Sequence, residues 1–182
     1  MRLFRLFSVV FALGIAGLLT AATIAQIGTD EMAQKSTTIV RGKVLSHRGL
    51  FRGDMIFTLF RVQVTEVWKG SAGKEIEVAV PGGVAQGYRQ VVAGAPTLET
   101  GSDYVFFLWT GRSGLHQLIG LSQGALTIRA TAQGEMAMRA ASEEQMVDRS
   151  TGKLVDDRGV SMPLNELRRI VRRATEARSE VQ

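Results

Sequence analysis

The sequence contains no cysteine, and its only histidines are His47 and His116. The first absence excludes disulfides, thiolate metal sites and cysteine nucleophiles. The second leaves little for metal ligation or proton transfer. Neither histidine has an i, i+4 partner, and each reads as a surface or edge residue; the alternatives are a general base paired with Asp54 or Asp103, or a shared metal. Charge is also missing from one long stretch, since nothing ionisable lies between Arg5 and Asp30.

That gap is organised. Arg2 and Arg5 precede it as a positive n-region, and Leu6–Ala25 (LFSVVFALGIAGLLTAATIA) is apolar and ends in small residues. Thr23-Ile24-Ala25 resembles a small-x-small cleavage site, with Thr20-Ala21-Ala22 as a second choice. Residues 1–25 therefore read as a signal peptide, and the domain as exported, periplasmic or extracellular. The rival is an uncleaved membrane anchor through residues 6–27, because the uncharged run is long enough to span a bilayer. The formal charge of +5 falls to +3 without Arg2 and Arg5. A central region this close to balance argues against a dedicated nucleic-acid binder.

The rest of the chain is organised around Ile56–Gly70 (IFTLFRVQVTEVWKG). Ile56, Thr58, Phe60, Val62 and Val64 alternate with Leu59, Arg61, Gln63 and Thr65, the period of an extended strand with one buried and one wetter face. Thr37–Ser46 is a β-branched first strand in which Gly42 permits a bulge. His47–Asp54 reads as a loop, Glu75–Val80 as a third strand broken at Pro81-Gly82-Gly83, and Tyr88–Val92 as a short strand. Asp103–Thr110 (DYVFFLWT) is apolar on both sides of the alternation, as in a strand covered on both faces. Leu115–Leu121 and Ala125–Ala130 continue a meander that Glu135–Arg139 extends. Thr29–Ser36 has room for one helical turn with Asp30 as its cap. Residues 26–140 form the predicted β-domain and 141–160 a polar linker. Residues 161–182 form a basic amphipathic helix in which Leu164, Leu167, Ile170, Val171 and Ala174 share one arc.

Four stretches follow a recognisable order: Thr37–Ser46 (TTIVRGKVLS), Arg61–Gly70 (RVQVTEVWKG), Glu75–Gly83 (EIEVAVPGG) and Gly101–Leu108 (GSDYVFFL). Together they resemble the netrin-like OB-fold module of tissue inhibitors of metalloproteinases. They resemble more closely a group of uncharacterised exported bacterial proteins with a GKV…EVxKG…PGG…FL…GLxQG layout. The resemblance spans about Thr37–Ala130. It implies a mainly β fold, an OB-like Greek-key β-barrel, here with an N-terminal signal helix and a C-terminal amphipathic α-helix. A secreted protease is the partner the inhibitor family implies. That family ligates the protease zinc through an N-terminal cysteine, which this chain does not have.

Chemistry-bearing patterns are few. Gly120-Leu121-Ser122-Gln123-Gly124 matches the nucleophile elbow, but a strand-like segment follows it where an elbow needs a helix, so it reads as a β-turn. Asp148, Asp156 and Asp157 lack calcium-loop spacing. Phe106 and Trp109 read as core, and Trp68, beside a turn, as the aromatic most open to solvent. Gly82 and Gly83 read as a turn in preference to an anion cradle. The arginines of the last helix read as a solvated face, with anionic lipid, nucleic acid or an acidic partner as alternatives.

The sequence thus predicts an exported, non-enzymatic binding or protein-interaction module, with no catalytic residue, no metal and no cofactor. The alternatives are an inhibitor or accessory of a secreted protease and, behind it, a serine hydrolase using Ser122. A ligand face would comprise Trp68, Tyr88 and the loops at Gly82–Gly87, with Gly82 and Gly83 foremost, chosen because they lie at strand ends where loops carry function.

Overall fold

A computed structural model describes residues 23–142 and 144–179. The signal-peptide reading falls on residues 1–22 except for its last three positions, and so lies almost wholly outside the described residues. In chain order the elements are β1 (Ile24–Ala25), α1 (Thr29–Lys35), β2 (Thr38–Arg52), β3 (Met55–Lys69), β4 (Glu75–Pro81), β5 (Gly83–Ala85) and β6 (Tyr88–Gln90). They continue with β7 (Asp103–Thr110), β8 (His116–Leu118), a 3-10 turn at Leu121–Gly124, β9 (Ala125–Thr131) and β10 (Gly134–Arg139). The last are β11 (Met146–Val147), β12 (Leu154–Val155), β13 (Val160–Pro163) and α2 (Leu164–Ser179).

The molecule is mainly β, with one large sheet and a C-terminal helix. The sheet runs β13-β10-β9-β7-β2-β3-β4-β8, and β8 also pairs with β7. The pairings β2-β3-β4-β8-β7 therefore return to β2 and close a ring. All of them are antiparallel except the two-residue parallel match of β4 with β8 (Val78 to His116, Ala79 to Gln117).

β7 shows why its sequence is apolar throughout. Tyr104, Phe106 and Leu108 pack with Val40, Val44, Val62 and Val78 from successive strands of the ring. Val105 and Phe107 point the other way, into a cluster with Met32 and Ala33 of α1 and Leu167 and Val171 of α2. A strand covered on both faces has no use for alternation with polar residues. α2 docks on the sheet by its apolar arc: Leu164, Leu167, Val171 and Ala174 are buried, while Arg168, Arg169, Arg172 and Arg173 stay exposed. Among the described residues no helix is long and apolar enough to cross a membrane.

Four local expectations need correction. His47–Arg52 is not a loop but the second half of the 15-residue β2, laddered against Phe60–Met55 of β3. Register shifts at Ile39/Val40, Arg41/Gly42 and Val44/Ser46 bend this pair, and the partner strand supplies the order that the sequence there does not announce. Asp30 does not cap α1; Gly28 occupies the cap position without a side-chain bond. The terminal helix does not begin at residue 161: Val160–Pro163 is β13, paired with β10, and α2 begins at Leu164. The polar stretch 141–160 is folded in place, because β11 pairs with β1 and β12, and Asp157 is tied to Arg139.

Candidate functional site

The site is assembled where two hairpins cross. β2 and β3 turn at Gly53-Asp54, and the smaller β5–β6 hairpin lies across their ends. The crossing is close. A Cβ placed on Gly49 of β2 would come within 1.8 Å of the Val84 carbonyl oxygen. Gly83 has a φ of 120° and faces Thr58, so that a Cβ there would lie 2.1 Å from the Thr58 Oγ1. Only glycine satisfies both the backbone angle and the approach. Hydrogen bonds hold the crossing: the Gly82 N–H donates to the Ile56 carbonyl (2.7 Å), the Thr58 hydroxyl to the Gly82 carbonyl (2.8 Å), and the Ile56 N–H to Gln90 Oε1 (2.7 Å).

This arrangement leaves an open cavity of about 460 Å³ whose lining includes His47, Phe60, Val80, Gln90, Val92 and Leu98, with Gly82 and Gly83 at its wall. His47 lies against the Phe60 ring, centroids 5.5 Å apart. Beside the cavity stands a group of uncovered apolar side chains. Tyr88 is 68 % exposed and meets Phe51 edge to face at 5.9 Å; Met55, Val84 and Val91 are exposed on the same hairpins and their exit. Arg89 is exposed next to Tyr88, Arg52 donates to the Ser113 carbonyl at 2.9 Å, and Arg48 pairs with Glu77 at 2.9 Å. Phe51 and Tyr88 thus form one exposed aromatic contact, while Met55, paired with Arg52, and Val84, paired with Arg89, lie on the other faces of their hairpins.

The structure therefore brings Tyr88, Gly82 and Gly83 together and separates Trp68 from them. Trp68 is half-buried on the side of α2, where its indole N–H donates to Glu66 Oε2 at 2.8 Å and the Arg168 guanidinium sits 5.1 Å above its ring. Glu66 also pairs with Arg168 and Arg41, and Arg41 reaches on to Asp103 and Glu135. Burial alone would raise the Glu66 carboxyl, but the Trp68 N–H and Arg168 outweigh it and hold it below the ordinary range. Arg41 does the same for Glu135, chiefly by a direct hydrogen bond. Trp68 thus belongs to a clamp between sheet and helix, apart from Tyr88, Gly82 and Gly83. Trp109, expected in the core, is 48 % exposed, whereas Phe106 is fully buried.

Ser122 lies in the 3-10 turn after Gly120, which has a left-handed backbone, and β9 follows directly. No α-helix follows it, and its cavity is lined by neither histidine. His116 instead meets the Thr110 hydroxyl at 2.7 Å through Nδ1. Asp148 accepts bonds from Ser150 and Thr151, foremost from the Ser150 hydroxyl, which lowers its carboxyl to about 2. Among the described residues no three acidic or histidine side chains gather as metal ligands. Compared with known proteins, the chain matches no family model and no curated sequence.

Sequence reasoning missed Phe51, an apolar residue inside His47–Asp54, a segment rich in glycine and arginine that reads as loop.

Proposed function

We propose that this chain is an exported, non-enzymatic interaction module built on an OB-like Greek-key barrel, binding its partner through the crossed hairpins. The order β2-β3-β4-β8-β7 with a parallel β4–β8 match supports the barrel reading, since it is a five-strand circuit with one out-of-sequence closure. The observation that carries the interaction reading is the Phe51–Tyr88 pair, open to solvent on the two hairpins whose other residues line the cavity. Tyrosine with arginine, here Tyr88 beside Arg89, is a composition that interfaces favour.

The test is a photo-crosslinking side chain placed at Tyr88, with the same probe at exposed Arg129 on β9 as a control, in cells that make the protein. A discrete adduct from position 88 that position 129 does not give is the expected result. Identical patterns from the two positions, or no adduct from either, would count against the reading.

A further inference from the structure

We infer that the chain is processed after Ala22, so that its mature domain starts at Thr23 and not at Gln26. This rests on the export part of the reading above. The sequence offers two small-x-small ends, Thr20-Ala21-Ala22 and Thr23-Ile24-Ala25, and composition alone prefers the second. The fold makes use of the residues that lie between the two.

Ile24 and Ala25 run parallel to Met146 and Val147. The Ile24 N–H donates to the Gln145 carbonyl at 2.9 Å, and the Gln26 N–H to the Val147 carbonyl at 3.0 Å. The opposite side of the same segment is held by Gln123, whose side chain is buried with 1 % exposure. Its Nε2 donates to the Ala25 carbonyl at 3.0 Å, and its Oε1 accepts from the Ile27 N–H at 2.9 Å. One carboxamide thereby does for residues 25–27 what a neighbouring strand would do. The Ile24 side chain fills a notch at Gly94, where a Cβ would come 2.1 Å from its Cδ1. The Gly120–Gly124 motif has a structural role in presenting Gln123 to this segment.

Cleavage after Ala25 would remove β1, empty the notch at Gly94 and uncover one side of β11. It would also leave the buried Gln123 Nε2 with only its longer bond to the Gly120 carbonyl, 3.3 Å. Cleavage after Ala22 leaves all of these contacts whole. Water then supplies the hydroxyl to the Ala22 carbonyl and a proton to the Thr23 nitrogen, and the new ammonium group lies at an exposed residue. A peptidase meets the chain before it folds, so the fold does not choose the bond; it records which residues the domain needs.

The test is expression of the full chain with a C-terminal tag in a bacterial host, followed by fractionation, intact mass and N-terminal sequencing. An exported product starting at Thr23 is expected. An exported product starting at Gln26, or an exported chain of full length, overturns the inference while leaving export standing. A full-length chain confined to the cytoplasm overturns the export reading, and the inference with it. Ala22→Leu should accumulate precursor, and Ala25→Leu should mature at Thr23 as before; the reverse pattern sinks the assignment. Both variants are read at the N-terminus, so neither result depends on how well the variant folds.

Discussion

Arg139 and Asp157 face each other as a two-pronged ion pair, Nη2 to Oδ1 at 2.9 Å, with the Asp157 side chain only 2 % exposed. Asp157 also accepts from the Ser142 and Gly159 N–H groups at 2.8 and 2.9 Å. Arg139, ahead of these two, holds the Asp157 carboxyl down at about 2. An unfolded aspartate titrates at about 3.9. The folded value lies below it, so the stabilisation is complete above about pH 4 and is lost as the pH falls through about 2. Urea midpoints of the wild type and Asp157→Asn should differ most at neutral pH and converge between about pH 4 and pH 2. A constant gap across that window would mean that the pair is not what the carboxylate contributes.

Gly83→Ala should cost at least about 2 kcal/mol, because it combines a left-handed backbone with a direct clash at Thr58. The β5–β6 hairpin is expected to detach first, seen as faster amide exchange at Ile56, which bonds Gln90.

Tyr88→Ala should change stability by no more than about 0.5 kcal/mol, since the ring is largely in water. Thermal melts that match the wild type, together with loss of crosslinking from a probe at Val84, would separate binding from folding.

Arg168→Ala removes both the cation over Trp68 and the partner of Glu66. Arg168 is about half exposed, so the loss should be about 1 kcal/mol and should shrink in high salt. With Trp109→Phe as background, Trp68 emission should shift to the red as its ring gains water.

Leu167→Ala should cost about 2–5 kcal/mol, as expected where a fully buried leucine leaves a cavity. Chemical denaturation would measure it, and a small effect would mean that α2 packs more loosely than its buried arc requires.

The strands with strong periodicity were legible in the sequence. β3 announced itself by alternation, and β7 by an unbroken apolar run that both of its faces bury. The second half of β2 did not, because His47–Arg52 takes its order from β3 and not from its own pattern. Trp109 shares the face of Val105 and Phe107, but its ring is left 48 % exposed, so an apolar run misled. Trp68 was misplaced for a different reason: its cover comes from Arg168, on a helix far along the chain, and no local window contains both. Of the candidate site, Tyr88 and the two glycines were within reach. Phe51 came to meet Tyr88 only when one hairpin was laid across the other.

The docking of α2 has a temporal consequence. Ile39, Val105 and Phe107 find their covering side chains in Leu164–Ser179, so this half of the interior stays incomplete until that helix has been synthesised. The chain emerging before then holds strands whose partners are distant or not yet made, a slow route to a finished structure.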